Sequence, residues 1–187
     1  MPTVTHTEIV YETHSITEDN ESGNATGWLP GRLSATGREL AGQLGERRRH
    51  DGVAAVFTSD LGRAVETATI AFAGSGIPVL HDWRLRECDY GRLNGHPGDE
   101  VHGDRRAFLD RPYPGGESWR QAVTRVGRFL DDLPLRWDGA RVVVIGHVAT
   151  RWGFDIALGG RTLDELVDED FAWQEGWEYR LGASATS

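Results

Sequence analysis

With 187 residues, the chain has the size of one folded domain built on a single substantial core. Hydrophobic residues make up 39% and charged residues 26%, which excludes general disorder and a coiled coil. The net charge of −9 excludes a surface that gathers nucleic acid by bulk attraction, so an anionic ligand has to be held by a local cationic pocket. All 20 basic residues are arginine, which removes Schiff-base and Walker-type lysine chemistry. The lone Cys88 removes an intrachain disulfide and a multi-cysteine zinc site. No basic residue precedes Arg32, no long apolar run opens the sequence, and the apolar stretches fall far short of the roughly 20 residues that cross a bilayer. A cytoplasmic protein without a secretory signal or membrane partner is expected.

In chain order, Glu8 to Glu12 centres on Ile9-Val10-Tyr11 and predicts a short buried strand, followed by some 20 loop-like residues. Ser34 is placed to cap a helix running to about Arg49, with Ala35, Leu40, Ala41 and Leu44 as its apolar face. The triple arginine at 47 to 49 reads as a solvated helix end favoured by the dipole. Val53 to Phe57 predicts a second strand, Gly62 to about Ala73 a second helix, and Ile77 to Leu80 a third strand after the Gly74-Ser75-Gly76 turn. From Asp89 to Gly116 the composition turns polar and rich in Gly and Pro, with a short helical pattern around Glu100 to Leu109, as in an insertion. Trp119, Ala122, Val123, Val126, Leu130 and Leu133 then recur at helical spacing over Ser118 to Leu133. Arg141 to Gly146 carries Val-Val-Val-Ile, the pattern of a strand covered on both faces. A helix over Thr150 to Leu158, a helical turn at Thr162 to Val167 and an alternating strand at Trp177 to Leu181 complete the chain. Gly182 to Ser187 reads as frayed, and Trp173, Trp177 and Tyr179 as core or dimer contacts.

Strands alternating with helices predict an α/β fold, a three-layer α/β/α sandwich with a mainly parallel central sheet, formed as one domain over 1–187. In such sheets ligands gather beyond the carboxyl ends of the strands. Those positions hold His14, Arg63, Glu87 and His147. Each alone is an ordinary polar residue, but together they suit phosphoryl transfer. One imidazole can attack phosphorus, the other and a guanidinium can balance charge on the equatorial oxygens, and a carboxylic acid can protonate the leaving oxygen. No metal and no cofactor is required. The polar cluster His96, Asp99, Glu100, His102 and Asp104 lacks His pairs at i, i+4 on a firm helix and reads as solvated polarity rather than a metal centre. Neither a Gly-x-Ser-x-Gly elbow nor a dinucleotide glycine fingerprint occurs.

Five ordered motifs resemble the histidine phosphatase superfamily, the phosphoglycerate mutase-like clan. They are Thr13-His14-Ser15-Ile16-Thr17-Glu18-Asp19-Asn20, Ser59-Asp60-Leu61-Gly62-Arg63-Ala64-Val65-Glu66-Thr67-Ala68, Leu85-Arg86-Glu87, Gly115-Gly116-Glu117-Ser118 and Ile145-Gly146-His147. The resemblance implies His14 as the phosphoryl-accepting nucleophile, Arg63 and His147 as phosphate clamps and Glu87 as proton donor. It implies that Thr13, Ser15, Thr17 and Asn20 line the substrate site, and that 89–116 is the segment varying with substrate, so that His96, His102 and the arginines of that segment are placed to touch the leaving group. The expected partner is a small phosphomonoester, with a homodimer possible.

Besides Val148-Ala149, which replaces the common Gly-Gly after the second histidine, and Arg151, one place earlier than the usual arginine, two positions depart from the family pattern. Thr13 stands where the family has an arginine that grips the phosphoryl group, and Ser15 replaces a glycine. Losing one preorganised donor costs about 100- to 1,000-fold in rate, and losing an arginine clamp on the order of 1,000- to 100,000-fold. Arg32, Arg86 and Arg151 are the candidates to compensate. Two other readings stay open at this stage: a repurposed enzyme of the same fold doing acid-base chemistry on a non-phosphorylated substrate, and a non-catalytic binding protein.

Overall fold

The computed structural model describes residues 5–182. The expected fraying of 183–187 lies outside the described residues. Five strands form one sheet in the order β3-β2-β4-β1-β5: β1 (His6–Thr13), β2 (Ala55–Thr58), β3 (Val79–His81), β4 (Arg141–Gly146) and β5 (Trp177–Gly182). The pairings β1·β4, β2·β4 and β2·β3 are parallel, and β5 runs antiparallel to β1 on the edge.

The period-2 alternation of the strands divides their side chains between two layers of helix. Ile9, Tyr11, Ala55, Phe57, Val142 and Val144 face Val126, Phe129 and Leu130 of α5 (Trp119–Asp132) and Phe154 of α7 (Val148–Ala157). Val10, Val56, Val143 and Ile145 face Leu44 of α2 (Ala35–Arg48) and Ala64, Ala68 and Ala71 of α3 (Gly62–Ala71). The expected α/β/α sandwich is therefore the observed fold. Burying both faces is what permits the uninterrupted Val-Val-Val-Ile run of β4.

Ser118 terminates α5 as read from the sequence. Its hydroxyl accepts from Gln121 N at 3.2 Å, while Gln121 Oε1 accepts from Ser118 N at 2.8 Å. Because this reciprocal cap is buried at the start of the main amphipathic helix, Ser118→Ala is expected to cost about 1 kcal/mol of stability. Urea unfolding should show this as a lower midpoint at unchanged slope.

The polar segment 89–116 is less of an excursion than its composition suggests. The single helical pattern expected over Glu100 to Leu109 is split into α4 (Gly98–His102) and a 3₁₀ turn at Arg105–Phe108. Tyr90, Val101, Leu109 and Tyr113 are buried and form a core cluster with Trp119 and Trp152. Gly91, at φ +56°, allows the close return of 114–116, where a Cβ would lie 2.3 Å from the Pro114 carbonyl oxygen. A one-turn helix, α1 (Glu18–Glu21), interrupts the stretch read as loop; two further short helices, α6 (Pro134–Trp137) and α8 (Leu163–Leu166), join the larger elements. Among the described residues, no helix is long and apolar enough to cross a membrane.

Candidate active site

The topology itself brings the two histidines together. β1 and β4 are neighbours in parallel, with Thr13 opposite Gly146, so the chain leaves both strands on the same rung. His14 N donates to Gly146 O at 3.0 Å, one residue beyond that rung. From there β1 leads to α2 on one face and β4 to α7 on the other, which opens a crevice between them. Gly146 has no room for a side chain, since a Cβ would meet the Thr150 hydroxyl at 2.5 Å.

The two imidazoles stand with ring centroids 5.0 Å apart, tilted by 48°. Arg63, buried on the first turn of α3, ties them together. Its Nε donates to His14 Nε2 at 3.3 Å and its Nη2 to His147 Nδ1 at 3.2 Å. Its remaining directions are fixed by the carbonyls of Leu29 (Nη1, 2.8 Å) and Gly27 (Nη2, 2.9 Å). Arginine has no acceptor, so these contacts define the tautomers. His14 Nδ1–H donates to Ser15 O at 2.8 Å and leaves the Nε2 lone pair toward Arg63. His147 accepts at Nδ1, so its Nε2–H donates to the Ser59 hydroxyl at 2.7 Å. The Tyr11 hydroxyl fixes the backbone here by donating to His147 O at 2.7 Å.

Withdrawal from water and the charge on Arg63 push the His14 imidazole down from its ordinary 6.5 to about 3. His147 is pushed well below its ordinary range, first by burial and then by Arg63 and His14. Both rings are therefore neutral and nucleophilic at neutral and mildly acid pH. Between about 3 and 6.5 the unfolded chain binds a proton at His14 that the folded chain refuses, so stability rises with pH across that window and declines as acid is added below 6.5. The melting temperature should fall from pH 7 to pH 4, and more gently in His14→Gln. Equal slopes in parent and variant would contradict the depressed value.

Glu87 is buried at the start of α7. Its carboxylate accepts from Cys88 N at 2.8 Å, Ala149 N at 3.1 Å and Val148 N at 3.2 Å. It thus occupies the anion-favouring end of that helix. Its backbone carbonyl accepts from Trp28 Nε1 at 2.7 Å and Arg125 Nη2 at 2.6 Å, which anchors the segment leading out of β3.

A cleft of about 920 Å³ opens over this group and contains His14, Arg63, Glu87 and His147 together with Thr13, Ser15 and Asn20. Thr17, expected to line it, does not. It is buried and caps α1, accepting from Asn20 N at 3.0 Å while Asn20 Oδ1 accepts from Thr17 N. Ser15 takes the glycine's place without a positive φ, its N–H donating to the Thr67 hydroxyl at 3.0 Å. Of the two insertion histidines, His102 lines the cleft, whereas His96 is exposed and bonded to Glu100 at 3.2 Å.

Of the three arginines expected to compensate for Thr13, only Arg151 reaches the cleft, with Asp155 3.4 Å from its Nε. Arg32 is exposed beside Glu18, and Arg86 pairs with Asp60 and lies over the Trp28 ring. Two further arginines that the sequence did not single out for this role line the cleft: Arg47 and Arg105. The triple arginine is not a solvated end. Arg48 donates to buried Glu12 at 2.7 Å, Arg47 lies 3.7 Å from the same carboxylate, and Arg49 donates to the Ala71 carbonyl. The reason is that Glu12, at the end of β1, is turned toward α2 and would be a bare buried charge without them. Arg105 has no carboxylate partner among the described residues, Asp164 and Asp168 pairing with its neighbour Arg106, and lies over Trp119 and Trp152, 5.9 and 5.6 Å from their centroids. Trp173, read as core or dimer contact, is exposed on the rim of the cleft, whereas Trp177 packs on Tyr11.

Residues 13–170 match the model of the histidine phosphatase superfamily (branch 1). Over 142 residues the chain is 34% identical to the probable phosphoglycerate mutase GpmB of Salmonella typhi, covering 72% of this chain and 66% of that protein, just under two thirds of its length. YhfR of Bacillus stearothermophilus superposes with a TM-score of 0.79 at 28% identity, covering 90% of this chain and 88% of that one. TTHB049 of Thermus thermophilus gives 0.66 at 30% identity, covering 81% and 85%. With its two facing imidazoles, the arginine between them and this extent of match, the chain belongs to the histidine phosphatase superfamily.

Proposed function

We propose that the protein is a phosphomonoester hydrolase or phosphotransferase acting through phospho-His14 on a small phosphorylated metabolite. The observation that carries this reading is the arginine-bridged pair of neutral imidazoles at the base of one cleft. His14 Nε2 attacks phosphorus and the bond to the leaving oxygen breaks. Glu87 enters the step as the carboxylic acid, gives its proton to that oxygen, and is left as the carboxylate that the N–H groups of Cys88, Val148 and Ala149 hold. Water, or an acceptor alcohol, then attacks the phosphohistidine, loses its proton to the Glu87 carboxylate and breaks the N–P bond, which returns His14 neutral and Glu87 protonated. The Arg63 N–H groups that now point at the imidazoles turn to the phosphoryl oxygens, and His147 flanks them. Positive charge for the transition state comes from the Arg63 guanidinium, with the neutral His147 imidazole beside it, so the step requires no metal.

Arg105 supports the reading further, as a second cleft cation beside Arg63 with no carboxylate of its own among the described residues, and takes part of the load the first-motif arginine carries elsewhere. The same reading takes the protein to be cytoplasmic and its partner a small molecule rather than a nucleic acid, in keeping with the charge of −9. No feature of the cleft favours acid-base chemistry on a non-phosphorylated substrate.

Turnover of a panel of phosphomonoesters from acid to neutral pH, with phosphohistidine followed by mass spectrometry, tests the reading; absence of both rejects it. Thr13→Arg should raise kcat by about 100-fold, because Thr13 lines the cleft beside His14 and brings no charge. No gain would mean that the other cleft arginines already supply that charge.

A further inference from the structure

The segment 169–176, between α8 and β5, has no part in the chemistry above, yet it leaves two large apolar side chains half exposed, Phe171 with its ring centroid 6.2 Å from that of Trp177. Phe171 is 47% exposed and Trp173 57% exposed, and both line the cleft that holds His14 and His147. Isolated exposed apolar residues need no explanation, but two on one short strap at the mouth of a reactive cleft do.

The sheet dictates this placement. β5 is antiparallel to β1 with Trp177 opposite Tyr11, so the residues preceding Trp177 emerge beside the carboxyl end of β1, where His14 leaves. Both ends of the strap are tied down. Arg161 Nη1 donates to Glu169 at 2.9 Å at one end, and Arg48 Nη2 donates to the Glu175 carbonyl at 3.1 Å at the other. Ile16, Leu40 and Trp152 supply further apolar surface to the same cleft. Asp170, next to Phe171 on the strap, stands in the lining without an ion-pair partner among the described residues, which disfavours an anionic group at the strap even though Arg47, Arg105 and Arg151 line the same cleft.

Resting on the phosphatase reading and narrowing it, we infer that the strap is a leaving-group subsite and that the substrate is a phosphomonoester of an uncharged alcohol carrying a flat aromatic ring. The ring lies between Phe171 and Trp173 while the phosphoryl group sits between the imidazoles. Offset or edge contacts with two aromatic side chains give affinity and orientation that a sugar or glycerol moiety cannot obtain from these walls.

Binding of two phosphonates, which cannot be turned over at a P–O ester bond, separates this inference from the reaction. By calorimetry, benzylphosphonate should bind the parent at least about tenfold more tightly than methylphosphonate. Trp173→Ala and Phe171→Ala should each narrow that ratio by about 3- to 10-fold, and Leu135→Ala, at a position 85% exposed and outside the cleft lining, should leave it unchanged. Equal binding of the two phosphonates, or a ratio that neither strap variant alters, overturns the subsite and leaves the phosphatase reading standing. Binding of neither phosphonate overturns both.

Discussion

Replacing His14 by glutamine is expected to abolish phosphohistidine formation and to lower kcat/KM on any phosphomonoester the parent turns over by about 10⁴- to 10⁶-fold, the scale set by removal of an activated nucleophile elsewhere. Glutamine keeps a polar group of similar reach, so the variant should fold. On the proposed reaction the imidazole is set for attack: Nδ1–H is committed to the Ser15 carbonyl, the lone pair at Nε2 is held only by the Arg63 Nε–H at 3.3 Å, which turns away as the phosphoryl group enters, and a value of about 3 keeps the ring unprotonated at neutral and mildly acid pH. Intact-mass and phosphopeptide measurements after brief mixing with substrate decide the matter. Retained labelling of the variant would move the nucleophile to another residue, with His147 the first to examine.

Arg63→Lys is expected to lower kcat/KM by about 10³- to 10⁵-fold although the formal charge is kept. The guanidinium makes contacts in four directions at once: two imidazoles and the carbonyls of Gly27 and Leu29. An ammonium at the end of a flexible stem cannot reproduce that fork, and at least one buried carbonyl loses its donor. A stability loss on the order of 2 to 4 kcal/mol should accompany the kinetic loss. The fall should appear chiefly in kcat, because the N–H groups of Arg63 meet the charge that develops in the transition state. Activity within tenfold of the parent would show that phosphoryl charge is carried by Arg105 or Arg151 instead.

Much of the scaffold is legible in residue order because the relevant physics is local. Ser34 and Ser118 cap the helices assigned to them, and β4 lies where Val-Val-Val-Ile places it. Ends slip by a residue or two: the strand expected at Val53 to Phe57 is Ala55–Thr58, and that at Ile77 to Leu80 is Val79–His81. Pairing with neighbouring strands, which no local pattern encodes, sets those limits. The four reactive side chains are legible as a group because each follows a strand, and a parallel sheet gathers strand ends. What escapes is whatever depends on long side chains or on distant chain segments. Three consecutive arginines look solvated until Glu12 is seen buried opposite them. Thr17 looks like a lining residue until its hydroxyl is found capping a helix of one turn. Trp173 looks like core until β5 is laid antiparallel to β1, a pairing across some 170 residues of sequence.

That Thr13 and Gly146 share a rung has an evolutionary reading. The gap between the imidazoles is inherited from the spacing of adjacent strands, about 4.8 Å in any sheet, and so is shielded from drift in the surrounding loops. The cleft that leads to that gap is lined by parts hung outside the sheet, at 89–116 and 169–176. Such a molecule can exchange one diet for another by rewriting its rim, and descendants with little surface in common can keep the same heart.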